Sequence, residues 1–216
     1  MKKFFMSGIL VFLMTIINAN YASAMVYEGP MLNPTAIELR LSMRKLWEDH
    51  ITYTRNYIIS DLGNLGDKSK IAERLLSNQV DIGNAIKPIY GEEAGNQLTT
   101  LLKEHIVLAT KVIIAARAAK KGGQSKALSK AQADWTKNGD DIATFLSGAN
   151  PNWKKSAMLD MLAKHLEYTT DEVTARLNKN WDKDIEAYDL GHDHMLMFAD
   201  ELASGIVKQF PDKFVK

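Results

Sequence analysis

The chain contains no cysteine, only five prolines in 216 residues, and almost no net charge. Without cysteine it has no disulfide, thiolate nucleophile, iron–sulfur ligation, covalently attached c-type haem or lipid-modified cysteine. Lysine and arginine number 27 against 26 acidic residues, so the basic footprint of a nucleic-acid binder is missing. No phosphate loop, His-Glu-x-x-His or Gly-x-Ser-x-Gly occurs, which leaves an enzymatic reading without a starting nucleophile or metal motif. No run of alternating apolar and polar residues marks a strand. What remains is a chain whose stability rests on helix packing.

The N-terminus carries the first positive signal. Lys2 and Lys3 precede an apolar run from Phe4 to Ile17, and Ala22-Ser23-Ala24 forms a small-x-small cleavage site. This pattern predicts a signal peptide over residues 1–24 and an exported protein, periplasmic or secreted. The apolar run is shorter than the ~20 residues a spanning helix needs, and no later segment is apolar enough to span. Residues 25–216 then form a single helical domain. Without Lys2 and Lys3 the basic residues fall from 27 to 25 against 26 acidic ones.

Helix punctuation divides this domain into about six helices. Asn33-Pro34 opens helix one, which runs to about Leu62, and Gly63, Asn64 and Gly66 form a turn. Helix two spans about Ser69 to Ile86 and breaks at Lys87-Pro88. Helix three ends near Lys120 at Gly122-Gly123, and helix four covers about Gln124 to Leu146. Asn150-Pro151 repeats the cap-and-proline start and opens helix five, which runs to about Asn178; Asn180 or Asp182 caps helix six, which reaches Phe210. The expected fold is all-α, an up-and-down bundle built from three helical hairpins.

Three stretches repeat one logic: Leu46-Trp47-x-x-His50-Ile51, Leu101-Leu102-x-x-His105-Ile106 and Met161-Leu162-x-x-His165-Leu166. Apolar or small residues at −3, +1, +4 and +8 from each histidine share its helical face, so each imidazole lies inside an apolar stripe. In an up-and-down bundle the three odd helices are parallel, and the histidines fall at one level. The even helices supply a second polar set. Leu75, Asn78 and Ile82 have the spacing of Trp135, Asn138 and Ile142, with Asp81 and Asp141 in matching places. In helix six, Asp189 and His192 lie on a heptad-like stripe.

Imidazoles with carboxylates suit a divalent transition metal better than calcium. The expected ligand set is His50, His105, His165, Asp81, Asp141, Asp189 and His192, with Asn78 and Asn138 orienting imidazoles through their amides. Arg55, at the edge of the first stripe, either holds a ligand carboxylate or pairs with an aspartate such as Asp81 or Asp141. A ferritin-like di-iron site needs two Glu-x-x-His pairs, and Asp189-x-x-His192 alone approaches one. His192-Asp193-His194-Met195-Leu196-Met197 mixes copper-type donors, but a helix spreads them over two faces.

The pieces Leu46-Trp47-x-x-His50 to Thr54-Arg55, Leu101-Leu102-x-Glu104-His105, Ala149-Asn150-Pro151-Asn152-Trp153 and Leu162-x-x-His165 resemble a family of helical bacterial proteins to which no activity is attached. The resemblance covers about Ala36 to Phe210. It implies one helical domain, and His192 and His194 are not part of its pattern. Two function classes without a reaction follow from the residues, beside a third, a metal-dependent enzyme, which needs an open coordination position and a pocket to solvent. One is a bundle whose buried His/Asn/Asp layer binds a divalent metal or small polar ligand. The other is a ligand-free structural or protein-interaction module whose polar layer fixes helix register.

Overall fold

The computed structural model describes residues 34–214, and the expectations for the signal peptide and for Asn33 lie outside them. Five α-helices follow in order: α1 (Pro34–Leu62), α2 (Lys68–Lys120), α3 (Ser125–Ala149), α4 (Lys155–Leu177) and α5 (Trp181–Gln209). A single 3-10 turn, Pro211–Lys213, closes the described chain. Among the described residues there is no strand, and no helix is long and apolar enough to cross a membrane. The all-α bundle is as expected.

The helix count and one helix start differ, each for a physical reason. First, Lys87-Pro88 does not end a helix. The backbone continues through Pro88 and departs from helical geometry at Gly91, with φ 89° and ψ 167°. That conformation suits glycine, so α2 is two limbs joined at Gly91. Second, Asn150-Pro151 does not open a helix. Asn150 Oδ1 accepts the Asn152 N–H at 2.9 Å, and the Trp153 N–H closes a turn on Asn150 O at 3.0 Å. This turn drives Trp153 into the core, where its indole donates to Glu201 O at 3.3 Å, and α4 begins only at Lys155. The cap expected at Asn180 is present, with Oδ1 accepting the Lys183 N–H at 3.2 Å.

Neighbouring helices form a ring in the order α1, α2, α3, α4, α5 and back to α1. Along the α1–α5 seam, Arg40 and Arg44 pair with Asp200 while Arg55 pairs with Asp184, so the two helices run in opposite directions. Asp61, fully buried, gathers Lys68 at 3.1 Å and Arg117 at 3.2 Å and so ties the end of α1 to both limbs of α2. The core falls into an upper cluster around Met43, Trp47, Trp153 and Phe198, a lower one around Tyr57, Ile58, Ile113 and Val173, and a third around Val112, Trp135 and Leu166. The histidine layer lies between the first two, with Trp135 of the third against His105.

The limbs of α2 cross at Gly83 and Gly95. A Cβ on Gly83 would collide with Thr99 Oγ1 and stand 2.5 Å from the Gly95 carbonyl oxygen, which cannot swing away. Gly83→Ala is therefore expected to destabilise the protein by about 1–3 kcal/mol in urea unfolding. Gly148, inside α3, has the opposite expectation, because a Cβ added there would meet nothing within 4 Å. Its replacement by alanine should gain about 0.5–1 kcal/mol in the same assay.

Candidate functional site, a buried imidazole layer

The stripes of α1, α2 and α4 bring His50, His105 and His165 together. Each is no more than 3% exposed. Their ring centroids are 5.5 Å (His50–His165), 5.7 Å (His105–His165) and 6.4 Å (His50–His105) apart. The rings of Trp47 and Trp135 flank His50 and His105 at 5.5 and 5.3 Å.

Amides from neighbouring helices fix two of the rings. Asn138 donates through Nδ2 to Leu101 O at 3.1 Å, which turns its Oδ1 toward His105 Nδ1 at 2.9 Å. His105 is thereby the donor in that bond and carries its proton on Nδ1. Asn78 donates to Leu46 O at 2.9 Å and accepts from Gln79 Nε2 at 3.1 Å. Gln79 Nε2 also donates to Leu75 O at 2.8 Å and lies 3.3 Å from His50 Nδ1, so one amide with two protons faces three acceptors. His50 Nδ1 is the acceptor there, and its proton resides on Nε2. His165 Nδ1 has no hydrogen-bond partner.

One contact recurs three times. The carbonyl four residues before each histidine accepts a side-chain proton from another helix: Leu46 O from Asn78, Leu101 O from Asn138, and Met161 O from His194 Nε2 at 2.8 Å. These oxygens lie within helix interiors, so the side chain supplies a second bond to a carbonyl with two lone pairs. Each pin fixes the axial register of two helices.

Burial dominates the electrostatics. It lowers His50 to about 3, aided by the neighbouring His105 and opposed by the Gln79 bond. It lowers His105 to about 4, opposed by Asn138. His165 is also held well below its ordinary value by burial, then by His50, His105 and His194. All three rings are neutral at pH 7. Below them lies a cavity of about 20 Å³ lined by the three rings with Thr54, Trp135 and Thr169. Thr54 Oγ1, Gln79 Oε1 and Trp135 Nε1 are, like His165 Nδ1, buried without a hydrogen-bond partner. The volume is that of one water-sized guest.

The other expected site residues divide. Asn78 and Asn138 belong to the layer, but Asp81, Asp141, Asp189 and His192 do not complete it. Asp81 is half exposed and pairs with Arg74 at 3.5 Å; Asp141 is similarly exposed and pairs with Lys137 at 2.7 Å. Asp189 faces outward on α5. His192 lies at the α1–α5 seam, 3.6 Å from Glu48 and against the Tyr188 ring. Among the described residues, no group of three or more His, Cys, Asp or Glu side chains stands where it could hold a metal ion.

Arg55 pairs with neither Asp81 nor Asp141. It binds Asp184 through both terminal nitrogens and Glu172 at 2.9 Å, beneath the Tyr188 ring, while Arg176 holds the other side of Asp184 at 2.6 Å. Glu172 is pushed up to about 7, chiefly by burial, with Arg55 opposing the rise. This quartet is a structural ion cluster that joins α1, α4 and α5.

Sequence reasoning missed His194 and Gln79. For His194 a signal existed: Ile82, Ile142 and Phe198 follow Asn78, Asn138 and His194 by four residues, which aligns His194 with the two asparagines. Gln79 has no counterpart in the other helices, since Gly139 and Met195 occupy the matching places. No family model, curated protein or solved structure matches the chain.

Asn138→Ala removes the Leu101 pin and the His105 acceptor together. The expected loss is about 2–3 kcal/mol in urea unfolding, since a buried ring N–H is left unpaired. Asp141→Ala, which breaks an exposed pair three residues away on the same helix, should change stability by less than about 0.5 kcal/mol.

Proposed function

We propose that the protein is an exported helical module of the structural or protein-interaction class, and that its polar layer works without a ligand to set helix register. In this reading the bundle is three helical hairpins: α1 with the first limb of α2, the second limb of α2 with α3, and α4 with α5. Each contributes one histidine from its first helix and one carbonyl pin from its second. The threefold recurrence of that pin, at Leu46, Leu101 and Met161, is the observation that carries the reading. A single mispaired register would break one pin and leave a polar group buried in an apolar core, a cost that favours one alignment over its neighbours. The reading assigns no reaction to the chain.

A second reading is favoured by the unpartnered polar atoms around the cavity. Thr54 Oγ1, Trp135 Nε1 and His165 Nδ1 would each gain from a small polar guest, whether a water-sized molecule or a transition-metal ion on the imidazoles. No carboxylate joins the rings to neutralise a divalent charge, which weighs against the ion.

Elemental analysis of protein purified without tags or chelators, beside a His50→Ala/His105→Ala variant, separates the two. The ligand-free reading expects well under about 0.1 equivalent of any transition metal, and a variant destabilised by several kcal/mol through lost packing. About one equivalent of metal, absent from a variant that still folds, would overturn it in favour of a metal centre.

A further inference from the structure

His165 is the imidazole of the layer with a buried ring nitrogen, Nδ1, that no hydrogen bond holds. It is also where α4 meets α1 and α2, with its ring 5.5 Å from that of His50 and 5.7 Å from that of His105. The polar and aromatic groups that face the three rings are Trp47, Thr54 and Tyr57 from α1, Gln79 from α2, Asn138 and Trp135 from α3, Thr169 from α4 and His194 from α5. None is anionic. His194 lowers His165, Tyr57 is itself raised by burial, and among the described residues no carboxylate, lysine or arginine contributes to holding the three rings neutral. A proton on any one ring therefore has no counter-charge and two further imidazoles within 6.4 Å.

We propose that the layer is a proton-operated release, in which His50, His105 and His165 take up protons only as α4 moves away from α1 and α2. The proposal rests on the ligand-free reading of the layer. Because the folded pKa values lie below the ordinary 6.5, each histidine contributes stability that is complete above pH 6.5 and is lost as the pH falls toward them. Three such sites favour the opened form by up to about a thousandfold per pH unit. Glu172, two turns further along α4 and paired with Arg55 of α1, acts in the opposite sense. Its carboxyl is raised to about 7, so between pH 7 and 4.5 protonation steadies the closed form. This offsets at most about tenfold per unit, leaving a net uptake of about two protons on release.

Trp47 and Trp135 lie against the layer, so tryptophan fluorescence followed from pH 7.5 to 3 reads the transition. A reversible, cooperative change is expected between about pH 5 and 4, with a steepness of about two protons. Hydrogen exchange should accelerate in α4 before α3. In His165→Phe, which keeps a ring but cannot titrate, the midpoint should fall by about half a unit or more and the steepness by about one proton; Glu172→Gln should steepen the transition by about one. A midpoint and steepness unchanged in His165→Phe would overturn the proposal, as would native fluorescence persisting to pH 3. If His165→Phe does not fold at pH 7.5, proton uptake by the unaltered protein decides: fewer than about one proton across the transition overturns it. Repeating the titration with a chelator keeps the two readings apart, because failure of the ligand-free reading would appear as a transition that moves when metal is removed.

Discussion

The structure depends on burying three imidazoles without a counter-charge. In water a histidine exchanges its proton near pH 6.5, but in this core the charged form has neither solvent nor an anion to stabilise it. The rings are affordable only as neutral groups, and a neutral imidazole has one donor and one acceptor to satisfy. That requirement accounts for the unusual concentration of amides: Asn138 receives the His105 proton, Gln79 faces the His50 acceptor, and both asparagines also anchor carbonyls of the facing helix. Polar chemistry placed among the apolar clusters thus determines alignment, and those clusters supply most of the driving force.

The layer and the ion cluster of Arg55, Glu172, Asp184 and Arg176 solve different problems. The cluster has two cations and two carboxylates, each within hydrogen-bond distance of an opposite charge, so its charges are balanced while largely buried, although burial still raises Glu172. The histidine layer has no such balance. One level of the bundle is therefore held by charge pairing and the next by charge avoidance, on the same three helices α1, α4 and α5 together with α2 and α3. Their contributions to stability move in opposite directions as the medium acidifies through neutrality, because Glu172 is raised and the histidines are lowered.

Much of this was legible from periodicity. The stripe spacing around His50, His105 and His165 placed all three on buried faces, and the repeat put them at one level. The carboxylates were misplaced because Asp81 and Asp141 follow Asn78 and Asn138 by three residues. That step turns a side chain about 60° away from the asparagine on a helix, enough to move it from the core edge to solvent. There Lys137 and Arg74 were available as partners, and the Lys137–Asp141 spacing of four residues is itself an exposed-face pattern. Helix ends were misread where local chemistry was overruled by tertiary packing. Pro88 lies inside α2 and the break comes three residues later, at Gly91, while Asn150-Pro151 serves the burial of Trp153 instead of capping a helix. The partners of Arg55 lie more than a hundred residues away, and no local spacing reveals them.

The central claim is that the three imidazoles are neutral and ligand-free, and that His50 and His105 are held in defined tautomers. Long-range proton–nitrogen correlation of the histidine rings at pH 7 tests it most directly. The account expects each of the three rings to be singly protonated, with the His105 proton on Nδ1 and the His50 proton on Nε2. A doubly protonated ring in the layer, His105 protonated on Nε2, or nitrogen shifts that respond to chelation would contradict it.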